Sequence, residues 1–169
     1  MKLVSFQALA AALKAADVRY LIAGGLAVAA HGYLRFTKDV DIVIQLVPHN
    51  IEKTFTALAS LGYGPNVPIT KEQFANKDLR DGWIRDKGMQ VLQFWSDAHP
   101  ETSVDVFVNE PFDFDVEYDA ALISPLSSNL EIRFVSLTTL IRMKHEANRP
   151  QDQVDIAELK SLKDRDDGR

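Results

Sequence analysis

Two aspartates, Asp39 and Asp41, alternate with the apolar residues Val40, Ile42 and Ile44. On a β-strand, side chains two positions apart point to the same face, so both carboxylates project together while the apolar side chains turn inward. Two ionised carboxylates about 4 Å apart repel each other by roughly 4 kcal/mol at an effective dielectric near 20. A divalent cation would relieve that repulsion, so the pair is a candidate metal site. The alternative is that the two aspartates only form the solvated face of a strand.

The chain has no cysteine, so a metal site would have to use oxygen and nitrogen ligands. The same absence excludes disulfides, thiolate metal sites and a cysteine nucleophile. Hard oxygen ligands favour Mg²⁺ or Mn²⁺ over zinc, and Mg²⁺ usually combines one or two carboxylates with substrate phosphates. The expected cofactor is therefore Mg²⁺ or Mn²⁺.

A third aspartate, Asp105, alternates with Val104 and Val106 in a strand predicted at 103–108. If that strand lies beside the Asp39–Asp41 strand, three carboxylates converge on one face. The alternative is an exposed aspartate on an edge strand. Asp97 and Glu101 are weaker candidates, since they fall in a predicted loop.

A glycine pair, Gly24-Gly25, follows a short buried strand predicted at 18–23 and opens an alanine-rich helical segment. Backbone N–H groups at such a helix start can approach a phosphate closely, although a glycine pair alone more often marks a turn. His31 closes the segment and is interpreted as a packed or capping group without a catalytic role. Thirteen residues separate Gly25 from Asp39, so one strand-helix-strand unit would bring a phosphate cradle and a metal site together.

These residues resemble the signature of the nucleotidyltransferase superfamily with a DNA polymerase β-like fold, in which a glycine pair precedes Asp-x-Asp in apolar surroundings. Gly24-Gly25 and Asp39-Val40-Asp41-Ile42 match that signature. The intervening Arg35-Phe36-Thr37-Lys38 is similar to the form found in a small bacterial branch related to abortive-infection (AbiEii-type) toxin nucleotidyltransferases.

A second stretch, from Leu140 to Ile156, looks like the C-terminal motif of the same branch. The resemblance implies that Lys144 lies near the nucleotide phosphates, although spacing alone leaves a surface lysine equally open. Arg149, with Asp152 or Asp155, is interpreted as an ion pair that fixes two helices rather than as a catalytic group. Ser136 is a plausible N-cap for the first of these helices.

The resemblance implies a metal-dependent nucleotidyltransferase that moves a nucleoside monophosphate from a nucleoside triphosphate, such as ATP, to an acceptor hydroxyl. The implied catalytic and metal-binding residues are Asp39, Asp41 and Asp105. The implied nucleotide-binding residues are Gly24, Gly25, Arg35, Thr37, Lys38 and Lys144. The acceptor stays open between tRNA, a protein and a small molecule. The alternative function is a non-catalytic binding protein of the same fold, or a toxin-antitoxin component with a cognate antitoxin as partner.

A chain of 169 residues with 46% hydrophobic residues is expected to form one domain over 1–169. Its predicted architecture is α/β (α+β), a mixed β-sheet with packed helices, with a nucleotidyltransferase-like core at about 18–135 and a C-terminal helical hairpin at about 136–163. A net charge of −5 opposes binding of nucleic acid through a broad basic surface.

The first 16 residues predict an amphipathic helix, with Leu3, Phe6, Ala10 and Leu13 on one stripe, rather than a signal peptide. No apolar run reaches the 18 or so residues of a membrane span, so we expect a cytoplasmic protein.

The pattern predicts a helix at 49–61, a loop over 63–70 and a short helix at 71–79, and it suggests the start of a strand at 83–85. This stretch, 63–88, could shape the acceptor pocket, and a surface excursion is an equal alternative. Further strands are predicted at 89–95 and 130–135, and the acidic segment 113–119 is interpreted as a solvated loop or short strand.

Overall fold

A mixed seven-stranded β-sheet forms the centre of the computed structural model, which describes residues 1–167. The strands run in the order β3-β4-β5-β2-β1-β7-β6. Their bounds are β1 Tyr20–Ile22, β2 Asp39–Ile44, β3 Gly64–Pro65, β4 Val91–Trp95, β5 Ser103–Phe107, β6 Leu122–Ser127 and β7 Leu130–Phe134. The predicted mixed sheet with packed helices is confirmed.

The helices surround this sheet, and the last two pack against each other as the predicted C-terminal hairpin. Their bounds are α1 Leu3–Ala15, α2 Gly24–Ala30, α3 Pro48–Ser60, α4 Lys71–Ala75, α5 Lys77–Lys87, α6 Phe114–Ala120, α7 Leu137–Ala147 and α8 Pro150–Asp167. Within residues 1–167, none of these helices combines the length and the apolar character needed to cross a bilayer.

Strand β2 lies in the middle of the sheet, antiparallel to β1 and parallel to β5. Val40, Ile42, Val43 and Ile44 are fully buried, because the strand is covered by core residues from its neighbours and from the packed helices. Burial of this apolar set fixes the register, since a slip of one residue would move every side chain to the other face. The two aspartates of β2 therefore have a defined position on the remaining face.

The amphipathic N-terminal helix is confirmed as α1, with Phe6, Leu9, Ala10 and Leu13 buried. Leu3 is an exception to the predicted stripe, because 60% of it is exposed. The helix begins at Leu3, and the face that packs against α3 and β7 continues from Phe6 onward.

The predicted strand start at 83–85 is wrong, because these residues lie inside α5. The Asn76 side chain accepts hydrogen bonds from the backbone N–H groups of Asp78 and Leu79, which starts the helix. Gly88, at φ +62°, ends it in the left-handed conformation. The helix predicted at 71–79 is two helices, α4 and the start of α5, which meet at Asn76.

The acidic segment 113–119 is also not a loop or strand, because most of it forms α6. The Asp113 side chain accepts a hydrogen bond from the Val116 backbone and caps the helix. Glu117 is buried and accepts hydrogen bonds from the backbone N–H of Ser136 and the hydroxyl of Thr139. One carboxylate of this segment therefore holds the start of α7 rather than facing solvent.

Candidate functional site

The three predicted carboxylates lie on one face of two adjacent strands. In the parallel pairing of β2 with β5, Asp41 is directly opposite Asp105 and Asp39 is opposite Ser103. Neighbouring strands are separated by roughly 4.8 Å, so the Asp41 and Asp105 backbones are direct neighbours. The strand adjacency on which the assignment of Asp105 depended is confirmed.

Neutral donors hold two of these carboxylates. The Ser103 hydroxyl donates to Oδ1 of Asp39 at 2.5 Å, and Nε2 of Gln93 on β4 donates to Oδ1 of Asp105 at 3.1 Å. The amide of Asn66 in turn donates to Oε1 of Gln93 at 2.5 Å. Sequence reasoning missed Gln93 and Ser103, although each is a polar residue that alternates with apolar ones, as the aspartates do.

The site carries an excess of negative charge. Burial raises the pKa of Asp41 to about 6, the carboxylates of Asp105 and Asp39 add to that rise, and Arg149 and Lys144 act against it. Burial also raises the pKa of Asp105, while its hydrogen bond from Gln93 acts in the opposite direction. Among residues 1–167, no three His, Asp or Glu side chains are already gathered as a metal cluster.

The glycine pair lets the start of α2 approach the aspartate strand. Gly24 has φ +59°, and a Cβ placed there would lie 1.9 Å from Oδ2 of Asp41. A Cβ on Gly25 would lie 2.8 Å from the hydroxyl of Thr37 and 3.1 Å from a guanidinium nitrogen of Arg35. Both positions require glycine for packing, and their predicted contact with phosphate stays a prediction.

The predicted nucleotide-binding residues between α2 and β2 each make different contacts. Nη2 of Arg35 donates to Oδ2 of Asp155 at 3.0 Å. Its Nε lies 2.9 Å from Oδ1 but without hydrogen-bond alignment, so that contact is electrostatic only. The Thr37 hydroxyl donates to the Asp39 carbonyl at 3.3 Å, and Lys38 is exposed. Binding of nucleotide by these residues stays a prediction.

A buried ion network joins α7 to α8. Nζ of Lys144 lies 2.8 Å from Oδ1 of Asp152 and 2.6 Å from Oδ2 of Asp155. Nε of Arg149 donates to Oδ2 of Asp152 at 2.8 Å, which confirms the predicted ion pair. Burial of Asp152 acts to raise its pKa, but the hydrogen bonds from Arg149 and Lys144 outweigh it and lower the pKa to about 2. Asp152 is therefore a stable anion that holds both cations.

A cavity of about 550 Å³ opens between the carboxylate face and this network. The sheet side contributes Gly24, Asp41 and Asp105, and the helical hairpin contributes Lys144 and Arg149. The rest of the lining is formed by Gln90, Val91, Phe107, Asn109, Pro111, Leu140, Met143, Glu146, Ala147 and Asp152. The volume is in the range of small-molecule sites, and the lining combines apolar side chains with six ionisable ones.

No family model matches the chain, and no curated protein matches its sequence. Among the solved structures that match are two that cover most of this chain. The crystal structure of the lincosamide antibiotic adenylyltransferase LnuA with lincomycin bound is 16% identical, with a TM-score of 0.52, over 89% of this chain and 90% of that one. ANT(2")-Ia in complex with adenylyl-2"-tobramycin is 11% identical, with a TM-score of 0.53, over 93% and 86%. At these identities the likeness shows the fold alone, and the chain has the mixed α/β fold of these two proteins.

Proposed function

We propose that this chain is a metal-dependent nucleotidyltransferase that moves a nucleoside monophosphate from a nucleoside triphosphate to the hydroxyl of an acceptor. The observation that carries the proposal is the pairing of Asp41 with Asp105 at the wall of the cavity, with Asp39 on the same strand face. The fold shared with an antibiotic adenylyltransferase supports this reading.

The residues present fit a divalent cation. Burial and neighbouring carboxylates raise the pKa of Asp41, so the ionised carboxylates carry negative charge that is not fully compensated. Their donor atoms are the oxygens that Mg²⁺ and Mn²⁺ prefer. We assign Asp39, Asp41 and Asp105 as the residues that would hold the metal. A bound metal would supply charge stabilisation at the phosphates and a lower pKa for the acceptor hydroxyl.

The chain's own groups then have distinct roles. Oδ1 of Asp105 accepts a hydrogen bond from Gln93, so Oδ2 is the atom that we assign to accept the proton of the acceptor hydroxyl. Gly24 and Gly25 would let backbone N–H groups approach the phosphates, with Arg35 and Thr37 packed behind Gly25. Lys38 would approach the phosphates from the solvent side, and Lys144 would add positive potential from the cavity wall.

We propose a small molecule as the acceptor. The cavity combines apolar side chains such as Phe107 and Met143 with polar groups such as Asn109 and Glu146, which suits a compact hydroxyl-bearing compound. The net charge of −5 disfavours RNA. Two of the matching structures contain lincomycin and adenylyl-2"-tobramycin, which supports the same class.

The test is a transfer assay with each of the four nucleoside triphosphates labelled at the α-phosphate. The acceptors are hydroxyl-bearing small molecules, tRNA and a protein extract, each with and without Mg²⁺. We expect label to pass to a small molecule only when Mg²⁺ is present. Asp41→Asn and Asp105→Asn should lower kcat by about 100-fold or more, because each removes a group that acts on the reacting atoms.

The exposed loop carboxylate Asp97 provides the matched control, since Asp97→Asn makes the same chemical change away from the cavity. Full activity in Asp41→Asn or Asp105→Asn would overturn the assignment. Labelling of tRNA or protein instead would overturn the acceptor class alone. Tight binding of nucleotide without any transfer would favour the non-catalytic alternative.

A further inference from the structure

Lys144 forms ion pairs with two buried carboxylates. Only 4% of its side chain is exposed, and its ammonium lies between Asp152 and Asp155, which are 1% and 0% exposed. If Lys144 turned toward a ligand, both carboxylates would lose a counter-ion inside the protein, which is strongly unfavourable. Lys144 therefore has little freedom to contact a phosphate directly.

Arg149 lies beside the same anion but is mostly open to solvent, with 72% of its side chain exposed. Its Nε donates to Oδ2 of Asp152 at 2.8 Å, and its Nη2 lies 3.4 Å from Oδ1. These contacts use one edge of the guanidinium. Arginine has five N–H donors in a planar fork, so the opposite edge can bind a second anion at the same time.

The backbone already fixes the position of Arg149. The residue lies in the short link between α7 and α8, where Asn148 has φ +50° and Pro150 has its ring-restricted φ. The backbone N–H of Arg149 also donates to Oδ2 of Asp152 at 3.1 Å. Binding a phosphate would therefore cost less ordering entropy than it would with an unanchored surface arginine.

Arg149 lines the cavity together with Gly24 and Asp41. The side chains of Arg149 and Asp41 therefore face the same enclosed space. A triphosphate bound at the Asp41 end of this cavity would thus extend toward the guanidinium of Arg149.

We propose that Arg149 binds the phosphates of the nucleoside triphosphate directly, through the guanidinium edge that Asp152 leaves open, whereas Lys144 is a structural cation of the hairpin. This assignment rests on the proposed function, because it names a phosphate ligand of that same site. It gives the nucleotide a bidentate partner that a lysine cannot supply.

The test measures binding of each nucleoside triphosphate with Mg²⁺ by calorimetry, together with the melting temperature of each variant without ligand. Arg149→Ala should weaken the triphosphate that wild type binds by about 10- to 100-fold, the effect of losing charge-assisted hydrogen bonds. Its melting temperature without ligand should fall by no more than a few degrees, because Lys144 still pairs with Asp152 after the loss of Arg149. Arg149→Lys should recover part of the affinity, since it restores the charge but not the fork.

Arg85→Ala is the matched control, because Arg85 is also exposed, also pairs with a nearby aspartate and lies outside the cavity lining. Unchanged binding in Arg149→Ala, with wild type binding normally, would overturn this assignment and leave the proposed function intact. Failure of wild type to bind any triphosphate would overturn both.

Lys144→Met separates the two cations. As a structural cation, Lys144 should be needed for folding, so its loss should lower the melting temperature by several degrees or prevent folding. A Lys144→Met variant that melts like wild type but binds no triphosphate would make the lysine the phosphate ligand and overturn the proposal.

Discussion

At the scale of a single residue, the surroundings of Asp41 disfavour its ionised form but favour the binding of a cation. Its carboxylate is largely buried, faces Asp105 across the strand pair and leaves room only for a glycine at position 24. These surroundings raise its pKa to about 6, so the ionised form destabilises the folded chain relative to the protonated form. The same excess of charge makes the position suitable for a cation.

The stability of the protein should therefore depend on pH through Asp41. Because the pKa is raised above the ordinary value of 3.8 to about 6, the stabilising contribution is complete below about pH 4 and is lost as the pH rises through 6. Asp41→Asn should lack this loss and be more stable than wild type by about 1–2 kcal/mol at pH 7.5, with the gain falling toward pH 4. Urea denaturation at several pH values without divalent metal measures the difference.

Asp97→Asn is the control for this series as well, since the side chain is exposed. A constant difference between Asp41→Asn and wild type from pH 4 to 7.5 would contradict the prediction. With Mg²⁺ present, the order should reverse, because only the wild-type carboxylate gains stability from the metal.

Sequence pattern was sufficient to find the three aspartates, because alternation with buried apolar residues puts a side chain on a known strand face. It did not show that Lys144 is buried in an ion network, since the burial of that side chain depends on how α8 packs against α7. The role of Gln93 also depends on strand order, which places it opposite Asp105. Contacts made across elements are not encoded in local spacing.

At the scale of elements, the packing of α2 on β2 depends on the absence of a side chain at position 24. Gly24 and Gly88 both have φ near +60°, so alanine costs about 1–2 kcal/mol of backbone strain at either position. The difference lies in their surroundings, since a Cβ at Gly24 collides with Asp41 while one at Gly88 meets nothing within 4 Å. The two substitutions together separate strain from collision.

Gly24→Ala should lower the free energy of unfolding more than Gly88→Ala does, and it should also abolish stabilisation by Mg²⁺ because Asp41 is displaced. Gly88→Ala should keep the full response to Mg²⁺. Chemical denaturation of both variants with and without Mg²⁺ provides the comparison. If both variants lost the same free energy of unfolding and responded equally to Mg²⁺, the close approach of Gly24 to Asp41 would not matter for metal binding.

The elements that sequence predicted correctly are those with a clear apolar period, such as α1, α3, β2 and β5. The errors occur where helix-capping residues determine the structure against the preference of the residue types between them. In α5, a cap at Asn76 and a left-handed Gly88 define a helix around Trp83 and Ile84, whose types favour strands.

Strand β6 was not predicted, because its residues contain Pro125 and alternate only weakly. It pairs with β7 at the edge of the sheet.

At the scale of the whole molecule, one sheet connects distant parts of the chain. Strand β1 pairs with β2 on one side and with β7 on the other, so the N-terminal and C-terminal parts share a single hydrophobic core. The sequence predicts one domain over residues 1–169. We therefore propose that the chain unfolds as one cooperative unit.

The protein should unfold in one transition, with equal calorimetric and van't Hoff enthalpies of about 120 kcal/mol near 60 °C for 169 residues. Differential scanning calorimetry measures both enthalpies in one experiment. Two resolved transitions, or a calorimetric enthalpy well above the van't Hoff value, would show that the C-terminal hairpin unfolds separately from the sheet.

The overall architecture could be predicted because the order of periodic segments limits the possible folds. The cavity could not, since its lining comes from the start of α2, from β2, β4 and β5, and from the α7–α8 hairpin, which are far apart in sequence. The acceptor depends on that lining, so the sequence left it open. The resemblance to a toxin-related branch stays a prediction.

The ion pair between Arg35 and Asp155 joins residues 120 positions apart. At a synthesis rate of about 5–20 residues per second, the ribosome adds Asp155 roughly 6–24 s after Arg35. During that interval the aspartate strand already exists, but the hairpin that closes the cavity and supplies its cations does not. Each newly made molecule therefore acquires its carboxylates well before the proposed site is complete, and under the proposed function we expect it to bind nucleotide only once α8 has docked.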